Sequence, residues 1–114
     1  MQIDASMWRR FLGAALVGAA LTAAGLAPVV AAGDTTVKID NYTFGPGQLT
    51  VKAGTTVTWV NDDDIPHTVV ATGKTFRSKA LDTNDEFSFT FATPGSYEYF
   101  CSLHPYMKAT VVVQ

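Results

Sequence analysis

Cysteine is nearly absent: 114 residues contain one, Cys101, so no internal disulfide can form. Histidine is almost as scarce, with His67 and His104 alone. Positive charge is in deficit, eight Lys+Arg against ten Asp+Glu, which leaves no basic stripe of the kind nucleic acid requires. No C-x-x-C redox pair or C-x-x-C-H haem-attachment run occurs. Also missing are a Gly-rich phosphate cradle, an internal repeat and, beyond residue 32, any convincing helical periodicity. The length fits one domain.

The chain opens differently from how it continues. Trp8, Arg9 and Arg10 precede an uncharged run, Phe11–Ala32, rich in Ala, Leu, Gly and Val. A basic start, an apolar middle and the small residues Val30-Ala31-Ala32 describe a secretory signal peptide over 1–32, ahead of a domain over 33–114. The rival reading is a retained membrane anchor, since the run is just long enough to span a bilayer; its Ala and Gly content makes it a poor one. Arg9-Arg10 also hints at twin-arginine export, although any basic start looks similar. The leader takes Arg9, Arg10 and Asp4 with it, so residues 33–114 carry a net charge of −3. A domain of about 80 residues is marginal without an added constraint. A bound metal would supply one.

Past the leader the hydrophobic period is two. Val37 and Ile39, Leu49 and Val51, Val57 and Trp59, Phe87, Phe89 and Phe91, Tyr97, Tyr99 and Cys101, and Val111 and Val113 each fall on one face of an extended segment. Phe87–Phe91 alternates as a half-buried antiparallel strand does. Turn signals separate the segments at Gly45-Pro46-Gly47, Ala53-Gly54, Asn61 to Asp64, Thr83-Asn84-Asp85 and Thr93-Pro94-Gly95. Short strands so spaced predict an all-β fold, a Greek-key β-sandwich. Ser78–Asp82 reads as a turn.

The chemistry gathers in Cys101-Ser-Leu-His104-Pro-Tyr-Met107, a C-x2-H-x2-M run that holds the single Cys, one of two His and a Met. Taken alone, each has a structural explanation: a buried small hydrophobe, a satisfied histidine, core filler. Together they do not. In an exported protein an unpaired thiol is open to oxidation unless buried or ligated. One thiolate, two imidazoles and a thioether match the trigonal His₂Cys set with a weak axial Met that binds copper. Structural zinc takes four Cys or His ligands, and this chain has three; calcium and magnesium take oxygens. A Cys nucleophile with a His base is the remaining alternative, but the sequence names nothing to orient the base and leaves Met107 unexplained.

The segments Val57-Thr-Trp-Val-Asn61, Asp64-Ile-Pro-His67 and Pro94–Met107 resemble the cupredoxins, most closely the amicyanin-like ones, and the resemblance runs from about Thr35 to Gln114. It implies a copper site near one end of the sandwich, with His67, Cys101, His104 and Met107 as ligands and Asn61 and Thr68 supporting them. It also implies a one-electron carrier rather than an enzyme, monomeric and periplasmic. Its partners would be redox proteins, a quinone-bearing dehydrogenase and a c-type cytochrome. His104 would be the electron's port, collared by Ile65, Pro66, Leu103, Pro105 and Tyr106 for brief docking. Leu103 and Thr68 depart from the usual Pro and Asn of such loops, which leaves loop rigidity and hydrogen bonding around the ligands to be found. Pro105 has no N–H, so one amide donor toward the Cys101 sulfur is missing if it faces that way. Asp62-Asp63-Asp64 reads as a solvated turn, with steering of a basic partner as the alternative. A different use of the site is transport of copper itself; a metal-free interaction domain would require four ligand types to coincide by chance.

Overall fold

The computed structural model describes residues 34–114; the expected leader lies outside them. Eight strands follow in order: β1 (Asp34–Asp40), β2 (Thr43–Gly45), β3 (Gln48–Val51), β4 (Thr55–Asn61), β5 (Val70–Ala71), β6 (Glu86–Phe91), β7 (Gly95–Cys101) and β8 (His104–Val113). Among the described residues no helix is long and apolar enough to cross a membrane. The strands make two four-stranded sheets, ordered β2-β1-β4-β6 and β3-β8-β7-β5.

Period-two patterning decides which face each strand buries. In β4, Val57 and Trp59 are fully buried, while Thr56, Thr58 and Val60 between them are half-buried on the outer face. β6 turns Phe87, Phe89 and Phe91 inward and Glu86, Ser88 and Thr90 outward. Its outer face is tied to β4 by hydroxyl pairs, Thr56 with Thr90 and Thr58 with Ser88, each 2.7 Å. Between the sheets lie Val37, Ile39, Phe44, Trp59 and Phe91 from one side and Leu49, Val51, Tyr99, Val111 and Val113 from the other. Phe76, from the β5–β6 connection, packs on Trp59, Phe89 and Phe91 at centroid distances of 5.6, 5.1 and 5.5 Å. Each such aromatic contributes about 2–3 kcal/mol through burial.

β4–β6 and β7–β8 pair antiparallel, whereas β1–β4 and β3–β8 pair parallel. Alternation looks the same for either direction, so the parallel pairs are a finding of the structure. Ser78–Asp82 is not a turn. Leu81 bridges antiparallel to His67, and Ser78 Oγ accepts from Val69 N–H at 2.8 Å and donates to Lys79 O at 2.7 Å. Between β1 and β2, Asn41 and Tyr42 are both left-handed, φ 51° and 58°. Two such residues suit a tight hairpin. Asn accepts this conformation readily; Tyr does not.

Candidate metal centre

β7 ends at Cys101 and β8 begins at His104, and these two residues face each other across the hairpin with Ser102 and Leu103 as its turn. The C-x2-H spacing is therefore the length of a two-residue hairpin turn. Met107 follows on β8, buried. His67 comes from the β4–β5 connection and is pinned through its backbone, His67 N–H to Leu81 O at 3.1 Å and Leu81 N–H to His67 O at 2.7 Å. Both Cys101 and His67 are fully buried, and His104 is half-buried.

The donor atoms of His67, Cys101 and His104 lie within 4.8 Å of one another. Cys101 Sγ stands 3.7 Å from His67 Nδ1 and 3.6 Å from His104 Nδ1. Metal–sulfur and metal–nitrogen bonds of about 2.3 and 2.0 Å, meeting at a trigonal or tetrahedral angle, separate S and N by about 3.5–3.7 Å. The spacing thus fits a shared metal ion.

One nitrogen of His67 is already committed. Nε2 lies 2.9 Å from Asp63 Oδ2, which fixes the ring and leaves Nδ1 facing Cys101 as the nitrogen available to a metal. Asp63 is accordingly no part of a solvated turn. It is buried between exposed Asp62 and Asp64, and its carboxylate also accepts from Tyr42 N–H at 2.9 Å. The hydrogen bond with His67, helped by that from Tyr42, holds its carboxyl below the usual range against the opposing effect of burial. The sequence offered nothing to orient a histidine; Asp63, four residues before His67, does so.

Asn61 supports the same loop. Fully buried, its Nδ2 donates to Ile65 O at 2.9 Å and Leu81 O at 2.8 Å, and its Oδ1 accepts from Asp63 N–H at 2.9 Å. Thr68 reaches Cys101 twice, by N–H at 3.3 Å and by hydroxyl at 3.7 Å. Burial pushes the Cys101 thiol up, but Thr68 N–H, the two imidazoles and the Thr68 hydroxyl outweigh it and bring it down to about 6. A thiolate ready for a metal is the result.

Around His104 the surface is apolar. Leu103, Pro105, Tyr106 and Pro66 are exposed and Ile65 is half-buried. Tyr42 joins them, which the sequence did not suggest. Its ring stands edge-on to both imidazoles, 5.6 Å from His67 and 5.0 Å from His104, while the Tyr106 ring lies 6.2 Å from His104. The hint in the sequence was Asn41, a residue that tolerates a left-handed turn and so brings its neighbour round to this end.

A two-sheet sandwich that gathers one thiolate and two imidazoles at a hairpin defines a class of protein with a single soft-ligand metal centre. The cupredoxin-like domain model matches residues 13–113, and the chain belongs to that family. It is 40% identical over 106 residues to amicyanin-alpha of Methylorubrum extorquens, covering 89% of this chain and 87% of that one. It is 38% identical over 98 residues to plastocyanin of Scenedesmus fuscus, covering 71% of this chain and 100% of that one. Among solved structures, a purple cupredoxin from Nitrosopumilus maritimus superposes with a TM-score of 0.68 at 35% identity, over 71% of this chain and 100% of that one. Copper is the metal of such proteins, and a set of one sulfur and two nitrogens beside a buried methionine suits it.

Proposed function

We propose that this chain is a periplasmic carrier of single electrons, with one copper ion held by His67, Cys101, His104 and Met107. The observation that carries this reading is the convergence of Cys101 Sγ with two imidazole Nδ1 atoms at 3.6–3.7 Å on groups already fixed by other bonds. A bound copper supplies one-electron chemistry between its +1 and +2 states. The protein's part is to keep the ligands still. His67 is locked by Asp63 and Leu81 and Cys101 by Thr68, while the hairpin places His104 opposite Cys101.

His104, half-buried within the apolar collar of Ile65, Pro66, Leu103, Pro105 and Tyr106, is the group through which a partner exchanges the electron. A small apolar face suits brief association. Partners of the kind implied by amicyanin-like proteins, a quinone-bearing dehydrogenase and a c-type cytochrome, fit this reading, and the basic, then apolar start of the chain supports export.

Transport of the metal itself is the competing use, and full burial of Cys101 and His67 argues for retention. The test mixes the copper-loaded protein separately with a small redox reagent and with a strong Cu(I) chelator. Electron exchange finishing long before copper leaves is the expected result. Copper leaving as fast as the electron would assign the protein to metal delivery instead.

A further inference from the structure

Thr68 occupies a position whose hydrogen bonding can be counted in full. Its hydroxyl oxygen accepts from Ser102 N–H at 2.7 Å, lies 2.7 Å from Ser102 Oγ, and lies 3.7 Å from Cys101 Sγ. A hydroxyl has one proton to give and two lone pairs to fill. Ser102 N–H fills the first. Two arrangements remain: Ser102 O–H fills the second, leaving the Thr68 proton to the sulfur, or Thr68 gives its proton to Ser102 and the sulfur goes without.

The surroundings decide between them. Ser102 is exposed, so water can satisfy its own lone pairs and its proton is free to turn inward. Thr68 and Cys101 are buried, where a thiolate short of donors is costly. A hydrogen bond to an ionised acceptor is about twice as strong as one between neutral groups. Apart from the imidazoles, both donors that reach Cys101 Sγ among the described residues belong to Thr68. Pro105, with no N–H, can add none.

We propose that Thr68 is a positioning residue for the metal thiolate: Ser102 fills both lone pairs of its hydroxyl, which directs its single proton to Cys101 Sγ. Charge drawn toward that proton is withheld from the metal, and Cu(I) is favoured. This rests on Cys101 being a copper ligand. Its new content is the direction of one proton, set by the exposed Ser102.

Three variants of the copper protein test it, read by cyclic voltammetry and by resonance Raman of the copper–sulfur stretch in H₂O and D₂O. Thr68→Val keeps the backbone N–H and the branched shape but removes the hydroxyl. It lowers the reduction potential by about fivefold in the Cu(I)/Cu(II) ratio, ~40 mV for one electron, and shrinks the deuterium shift of the stretch. Thr68→Ser restores both. Ser102→Ala leaves Thr68 with sulfur as its one acceptor, so the potential stays or falls slightly.

Two results overturn the proposal. One is a Thr68→Val protein with an unaltered potential and deuterium shift. The other is a Ser102→Ala protein whose potential rises, because the Thr68 proton then rested on Ser102. Should Thr68→Val not fold, the direction of the Ser102→Ala shift decides alone. Failure of the copper-thiolate reading is distinguishable, since the intense blue band would then be missing from the unsubstituted protein as well.

Discussion

At the end of the sandwich where His67, Cys101 and His104 meet, polar atoms are paired several deep. Asn61 makes three hydrogen bonds, Asp63 bonds His67 and Tyr42, and Thr68 bonds Cys101 and Ser102. Around Trp59 the opposite holds. Its ring packs on Phe76, Phe87, Phe91 and Tyr99 at 5.4–6.4 Å between centroids, yet Trp59 Nε1, Tyr99 OH and Thr55 Oγ1 are buried with no hydrogen-bond partner. Close packing holds the middle in place. A directed network, which tolerates few arrangements, holds the site. The comparison divides labour: the aromatic middle supplies stability, the polar end supplies geometry.

The largest effect belongs to the packing. Trp59→Ala removes a fully buried ring and is expected to cost about 3–5 kcal/mol, seen as a lower urea midpoint, while the copper spectrum of the still-folded protein is unchanged. A displaced spectrum would mean that the two regions are not separate.

Next comes the buried phenol. Burial pushes Tyr99 up to about 12, against a weaker downward pull from Trp59. Its folded pKa lies above the unfolded value near 10, so its contribution is complete below pH 10. Between pH 10 and 12 the unfolded chain ionises first and stability falls, by on the order of 2–3 kcal/mol. Tyr99→Phe is expected to flatten that fall in alkaline denaturation curves; an equally steep loss would place the sensitivity elsewhere.

Asp63→Ala probes the polar end. It frees His67 Nε2 and Tyr42 N–H together, and loss of a carboxylate behind a ligating histidine costs about 10–100-fold in metal affinity. Competition with a chelator measures it, and an unchanged affinity would remove Asp63 from the account. The smallest effect lies outside both regions: Thr58→Ala breaks an exposed hydroxyl pair with Ser88 and is expected to shift the midpoint by less than about 1 kcal/mol.

The two regions were not equally legible. Alternation exposed the aromatic layer, because burial of one sheet face writes itself as Phe87, Phe89, Phe91 and as Val57, Trp59. The compact C-x2-H-x2-M run exposed one side of the site, since a two-residue hairpin turn keeps its ends close in sequence as in space. Strand direction was hidden, as a parallel partner leaves the same pattern as an antiparallel one. Asp63 was hidden among three consecutive aspartates, for charge alone does not reveal that the middle one faces His67. Tyr42 was hidden too: its approach to both imidazoles depends on a left-handed backbone that a tyrosine rarely takes.

The most direct test of the central claim, that one copper binds through the Cys101 thiolate between His67 and His104, is addition of Cu(II) to the purified metal-free protein with visible absorption and EPR recorded together. A strong thiolate-to-copper charge-transfer band, one ion per chain, and its disappearance in Cys101→Ala are the results predicted. A colourless protein that takes up zinc in preference, or a band that survives Cys101→Ala, would contradict it.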